Sequence, residues 1–191
     1  MMSRAFKQRV CVPFDGGELR VLQPENVHAG YIAGLNDPEI NRFLVNVRQN
    51  VQTKESVLQF VQKNLDDPCA ILLGIWEKGN GKHCGTIRIH NVEDTHSTAH
   101  IGICIFERAS WGKHLGSRAL KTATQWAFTE LRLRWIEAGI YADNVASQYA
   151  FDAAGYEWIC DYPDKYLYES GPALVRIYAA RNTKFSAQQR Q

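Results

Sequence analysis

Apolar residues along this chain change their period near Pro68. Before that point they mostly recur at helical spacing; after it, short runs of β-branched and aromatic residues dominate. The opening "RVCVPFDGGELRVLQP" is an exception. Two short apolar runs flank "DGG", whose glycines tolerate the positive φ of a tight turn, so the segment predicts a β-hairpin. Pro24 then precedes a helical pattern through Val27, Tyr31, Ile32 and Leu35. In "NDPEINRFL", Asn36 or Asp37 is placed to cap a second helix whose first turn begins at Pro38. Thr53 caps a third, with Val57, Leu58, Val61 and Leu65 on one face.

"AILLGIW" and "KHCGTIRIHNV" read as strands joined by the hairpin signal "EKGNGK", and "STAHIGICIF" as a third after "EDTH". Ala119, Leu120, Ala123, Ala127 and Leu131 keep helical spacing after Trp111. "RWIEAGIYA" predicts another strand, residues 144–153 a helix, and "YEWICDY" and "LVRIYAA" two closing strands. Helices, a meander and then β-α-β-α-β-β imply an α/β (α+β) fold. The expectation is one three-layer domain over residues 1–181, with a mixed central sheet of about six to seven strands and helices on both faces. The β-α-β crossover should make "HIGICIF" and "RWIEAGIYA" parallel neighbours. The polar tail, residues 182–191, is expected to be disordered.

Composition narrows the function classes. A net charge of +2 gives no argument for nucleic acid or an anionic membrane as partner. No apolar run reaches the ~18 residues of a membrane span, and "MMSRAFKQRV" lacks the apolar stretch of a secretory signal. Cys11, Cys69, Cys84, Cys104 and Cys160 form no CxxC pair and no metal-like spacing with histidine. They read as thiols buried as small hydrophobes in a reducing compartment, which points to the cytoplasm and to no metal.

Candidate chemistry begins at "ASWGKHLGS", residues 109–117, between a strand and a long helix. Free backbone N–H groups at a helix start converge on an anion, helped by the helix dipole. Gly112 and Gly116 permit close backbone approach, and Lys113, Arg118 and Lys121 add positive charge. The stretch matches neither GxxxxGK[ST] nor GxGxxG, so alone it is equally a glycine-softened turn.

The ordered set "HIGICIF", "WGKHLGSRALKTATQWAFTELRLRWIEAGIYADNVASQYAFDAAGYEW" and the earlier "LNDPEINRFL" resembles the GNAT superfamily of acetyl-CoA-dependent N-acetyltransferases. Within it, the chain looks like the branch of ribosomal-protein N-terminal acetyltransferases and relatives in bacterial glycan biosynthesis, over about residues 17 to 181. The resemblance implies a single acyl-CoA N-acyltransferase domain with acetyl-CoA as co-substrate. Its pyrophosphate loop, Q/R-x-x-G-x-G/A, falls on Trp111, His114 and Gly116, with Gly112, Lys113, Leu115 and Ser117 in the same loop. Histidine in place of glycine costs about 1 kcal/mol if the position demands positive φ.

The resemblance carries further residue roles. The pattern N-x-x-S/A-x-x-x-Y-x-x-x-G-F places Asn144 and Ser147 beside the pantetheine arm and thioester. It puts Phe151 where many relatives have the tyrosine that protonates the leaving thiolate. Phenylalanine has no proton to give, so Ser147 becomes the candidate for hydrogen-bonding the sulfur. Gly155 doubles as a helix C-cap. The family's strand motif "AEIG" reads "AHIG" here. His100 therefore becomes the candidate base, with an ordinary imidazole pKa of about 6.5 suiting it, and His90 stands second. His83, His96 and Glu93 have only proximity. A backbone N–H among Cys104, Ile105 and Phe106 is expected to meet the oxyanion, with Cys104 itself a core residue.

The acceptor pocket is expected between residues 36–46 and the final hairpin, residues 161–174, walled by Phe43, Tyr162, Tyr166 and Tyr168. Lys165 stands where some N-terminal acetyltransferases carry a glutamate. The acceptor is an amino-sugar nucleotide, a protein N-terminus or another small amine. The alternatives are an acyl-CoA-binding sensor or accessory module without turnover, and a phosphate-binding interaction domain. Monomer and homodimer stay open.

Overall fold

The computed structural model describes residues 2–168 and 171–185. The strands are β1 (Cys11–Phe14), β2 (Gly17–Val21), β3 (Ile71–Glu77), β4 (His83–Glu93), β5 (Thr98–Ile105), β6 (Trp135–Tyr141), β7 (Glu157–Tyr168) and β8 (Gly171–Arg181). They form one sheet in the order β1-β2-β3-β4-β5-β6-β8-β7. The eighth strand exceeds the expected six to seven because the short opening hairpin joins the main sheet through β2 and β3. Among the described residues only β5 and β6 run parallel, as the crossover predicted. The helices are α1 (Arg4–Lys7), α2 (Ala29–Asn36), α3 (Val45–Arg48), α4 (Lys54–Asp66), α5 (Leu115–Glu130) and α6 (Val145–Ala153). None is long and apolar enough to cross a membrane.

Strand alternation assigns side chains to two faces. Register aligns Leu73 with Ile87 and Ile87 with Ile103, so these share one face. Helix α5 covers it with Leu115, Ala119, Leu120, Ala123 and Ala127, all buried. Small residues at these positions let the helix approach closely. A Cβ on Gly116 would make ordinary contact with Ile103 Cδ1 at 3.5 Å. On the other face, Leu72 aligns with Arg88 and Arg88 with Gly102, and α4 packs over β3.

The segment "NDPEINRFL" departs from its predicted helix. Asp37 is extended (φ −71°, ψ 120°) and ends α2, while its Oδ1 accepts from the Glu39 N–H at 2.9 Å. That Asx-type bond offers the backbone an alternative to the helix ladder. Leu44 (φ −96°, ψ 68°) breaks the path again, leaving one 3-10 turn, Asn41–Phe43, and the short α3. Val27 likewise lies before α2, which His28 caps by accepting from the Tyr31 N–H. Cys11 is exposed rather than buried, on the outermost strand, and all five cysteines are free. Most of the expected disordered tail, residues 186–191, lies outside the described residues. Asn182 is held instead, donating from its backbone to Arg134 O and from Nδ2 to Leu133 O.

Lys7 is an unforeseen anchor. Its side chain is fully buried, and Nζ donates to the carbonyls of Asn64, Leu65 and Asp67 at 2.7, 3.0 and 2.6 Å. These are the orphan carbonyls at the C-terminus of α4, where the helix dipole favours a cation. Burial lowers the lysine pKa, and Asp67 and Asp66 oppose that shift. Replacing Lys7 by Met should destabilise the protein by about 2–3 kcal/mol, since two buried carbonyls and one half-buried carbonyl lose their donor. Urea unfolding at pH 7 measures this.

Candidate active site

Strands β5 and β6 are hydrogen-bonded neighbours only at Thr98–Trp135, Ala99–Ile136 and His100–Glu137. Beyond His100 they part. Each stays committed to its other neighbour, β5 to β4 as far as Ile105 and β6 to β8 as far as Tyr141. Alternation decides which backbone groups face the gap. The Phe106 N–H bonds Cys84 O across to β4, so Cys104 and Gly102, two and four residues back, also point toward β4. Ile103 and Ile105 therefore turn their amides toward the gap. Among the expected oxyanion donors, Ile105 keeps its eligibility and Phe106 loses it, because its amide is already bonded. Ile103 is a donor that reading the letters alone did not find. On β6, the Ala142 N–H bonds Leu174 O toward β8, which leaves the Gly139 and Tyr141 edges facing the gap.

The gap opens into a cavity of about 430 Å³. Gly102, Ile103 and Cys104 of β5 form one wall, and residues 138–141 of β6 with Asn144, Ser147 and Phe151 form another. Thr86, Arg88 and His90 of β4 line it, while Val57 and Phe60 of α4 and Tyr31 and Leu35 of α2 close it. Phe43 lines it too and stacks on Tyr168 (5.7 Å) and Tyr141 (6.2 Å). Tyr162 and Tyr166 do not line the cavity. They are exposed, with the Lys165 ammonium 4.2 Å from the Tyr162 ring.

Asn144 caps α6, its Oδ1 accepting from the Ser147 N–H at 3.2 Å, so the cap carries Ser147 into the cavity wall. Phe151, one helical turn on, is 2% exposed and packs edge-on against Tyr156 at 4.9 Å. Desolvation pushes the Cys104 thiol up to about 12, which keeps it protonated and unreactive. His100 and His90 face each other across the β4–β5 ladder with rings 5.6 Å apart. His90 lines the main cavity; His100 lines a neighbouring depression with Arg134, Trp135 and Glu137. His100 Nδ1 lies 3.6 Å from Glu137 Oε1. Burial, and next the positive charge of Arg88, lower the His90 pKa, so its imidazole is neutral at pH 7. Glu93 instead accepts from the Thr95 and His96 amides in the β4–β5 turn.

Residues 111–114 form an exposed loop. Trp111 Nε1 donates to Ile105 O at 3.0 Å, fastening the loop to the edge of the gap. Gly112 has φ +72°, and His114, the N-cap residue of α5, is left-handed at φ 55°, ψ 15°. No side chain caps α5, so the first-turn amides of Leu115, Gly116 and Ser117 face outward. The Ser117 hydroxyl turns back to His114 O. Arg118 Nη2 holds Lys113 O at 3.1 Å. An uncapped helix start beside a gap edged with free amides suits a pyrophosphate followed by a chain of amides, which is the chemistry of coenzyme A.

The family model for the acetyltransferase (GNAT) domain matches residues 18–157. The chain belongs to the GNAT acetyltransferase family. GNAT enzymes use acetyl-CoA, and the protein is accordingly an acetyltransferase. Its fold is similar to a spermidine N-acetyltransferase from Vibrio cholerae solved with coenzyme A and spermine, at 14% identity and TM-score 0.79, over 90% of this chain and 98% of that one. It is similar to a ribosomal L7/L12 alpha-N-protein acetyltransferase solved with coenzyme A, at 17% identity and TM-score 0.78, with the same coverage. A ribosomal-protein-S5-alanine acetyltransferase from Vibrio fischeri follows at 16% identity and TM-score 0.75, over 93% of this chain and 99% of that one. No curated protein matches the sequence.

Behind the cavity wall lies an aromatic box in which His83 is 3% exposed. Its ring stacks on Trp76 at 4.7 Å and meets Phe106 and Tyr31 edge-on at 4.9 and 5.3 Å. Neither ring nitrogen has a hydrogen-bond partner among the described residues. Desolvation lowers its pKa from 6.5 to about 4. Protonation thus favours the unfolded chain, and stability present above about pH 6.5 is lost as pH falls toward 4. His83 should contribute a loss of about 2 kcal/mol between pH 7 and pH 5. His83→Leu should remove that part of the acid sensitivity, as read from urea unfolding at the two pH values.

Proposed function

We propose that the protein transfers an acetyl group from acetyl-CoA to a small primary amine by direct attack within a ternary complex. The acceptor is an amino-sugar nucleotide, a protein N-terminus or another small amine. The observation that carries this reading is the gap between β5 and β6 leading into a single cavity. It gives the pantetheine arm an amide-edged slot and gives the amine an opposite, aromatic-walled approach.

Acetyl-CoA supplies an acetyl group already activated as a thioester. The protein's residues do the rest. First-turn amides of Leu115, Gly116 and Ser117, with the turn from Trp111 through Gly112, Lys113 and His114, hold the pyrophosphate. The Ile103 or Ile105 amide faces the thioester carbonyl and stabilises the charge developing on its oxygen. Asn144 and Ser147 line the arm, with Phe151 as an apolar backing. The Ser147 hydroxyl is the candidate donor to the sulfur.

Proton removal falls to the stacked histidines. His90, neutral and in the cavity, accepts the amine proton. His100, half-exposed and beside Glu137, passes it outward, or takes it directly through water. His90 thus reaches the cavity on behalf of the pair, and His100 connects it to the neighbouring depression.

Titration calorimetry with acetyl-CoA should show saturable binding; no heat at millimolar ligand would sink the reading. His114→Gly should retain this binding and raise stability by about 0.5–1 kcal/mol, because the left-handed conformation is strained for histidine. His100→Ala should lower turnover with little change in acetyl-CoA affinity. The wild-type rate should rise with pH through a limb below 6.5, since the lowered His90 pKa leaves the base free at neutral pH. A flat profile between pH 5 and 9 removes both histidines from proton transfer.

A further inference from the structure

Arg88 is the only formally charged side chain among the described residues that line the cavity, and no carboxylate lines it. Resting on the acetyltransferase reading above, we propose that Arg88 binds an anionic group of the acceptor. The substrate is then a small amine that also carries a carboxylate or a phosphate.

The geometry reads as a fixed donor awaiting an acid. Arg88 Nε donates to Asn64 Oδ1 at 2.7 Å. Asn64 is itself 2% exposed and locked by its Nδ2 bond to Phe60 O at 2.8 Å. The guanidinium is therefore oriented by a neutral amide, which uses one N–H and cancels no charge. No other hydrogen bond and no ion pair holds it among the described residues; the Phe60 ring stands 5.7 Å from its carbon. Burial lowers the arginine pKa, and the charge of nearby Asp67 partly opposes that shift. Asp67 Oδ1, however, accepts from the Cys69 N–H at 2.8 Å, and the residue lies outside the cavity lining.

Space is provided as well as charge. The cross-strand partner of Arg88 is Gly102, where an added Cβ would meet nothing within 4 Å. A half-buried guanidinium whose fork is unspent suits a bidentate carboxylate or phosphate. His90 lies two residues along the same strand face. An acceptor gripped by its acid at Arg88 thus presents its amine near the histidine pair. A polycation would meet a positive charge there with no carboxylate lining the cavity to receive it, which costs affinity.

Steady-state rates on matched acceptors test the assignment: amino acids against their carboxamides, an amino sugar against its phosphate ester, and spermidine. Acid-bearing members should lead their neutral partners by about 30-fold or more in kcat/KM, mainly through KM. The carboxylate and phosphate arms identify which anion fits. Arg88→Met should collapse the acid-over-neutral ratio toward one, and Arg88→Lys should recover part of it. A merely structural loss moves both members of a pair together and leaves the ratio intact. An unchanged ratio in Arg88→Met, or a preference for spermidine, overturns the proposal. Calorimetric binding of the same acids to wild type and Arg88→Met needs no turnover. Tighter binding to wild type supports the assignment even if acetyl transfer itself fails, and equal binding overturns it.

Discussion

The site depends on a hydrogen-bond ladder that stops early. Strands β5 and β6 share three residue pairs, whereas each shares seven with its other neighbour. A buried amide left without a partner costs roughly 1–3 kcal/mol, so a sheet does not abandon pairing without compensation. Here the N–H groups of Ile103, Ile105, Gly139 and Tyr141 face a ligand backbone that can act as an extra strand, while the Ile105 and Tyr141 carbonyls are taken by Trp111 Nε1 and the Asn144 N–H. The neighbouring ladders hold each wall in place, α5 secures one face of β5, and α6 brings Ser147 to the far wall.

The supports of the cavity reach well beyond its lining. Helix α4 contributes Val57 and Phe60, and its last carbonyls are closed by Lys7 from the chain's first helix. Helix α2 contributes Tyr31, whose ring packs on Phe106 at 4.8 Å and on the unsatisfied His83. Gly34 lies so near Phe106 that an added Cβ would stand 2.7 Å from the Phe106 Cβ. The polar burials behind the cavity are thus uneven. Lys7 is fully partnered, whereas His83 is tolerated only while neutral.

Local signals made much of the fold legible. The Gly16 and Gly79–Gly81 turns announce hairpins, and the α5 pattern is long enough for its period to be unambiguous. Residues 37–48 were less readable, because Asp37 serves both as helix terminator and as side-chain cap to Glu39. The loop, Asn144, Ser147 and His100 were legible through family resemblance, not through composition. Arg88 was hidden in "TIRIHNV" although its alternation is plain. Which face of β4 becomes a cavity depends on α2 and α4, far away in sequence. The premature end of the β5–β6 ladder is likewise non-local: no letter in either strand marks where pairing stops.

His114 shows what kind of information the proposed pyrophosphate loop stores. Its recognition groups are main-chain amides, so the backbone path has to persist while the side chains drawn along it are free to vary. A left-handed residue at position 114 satisfies that requirement whether it is written as glycine or histidine, at a modest energetic difference. The loop is therefore degenerate at the level of letters and strict at the level of torsion angles. Function can survive there while the motif that advertises it fades.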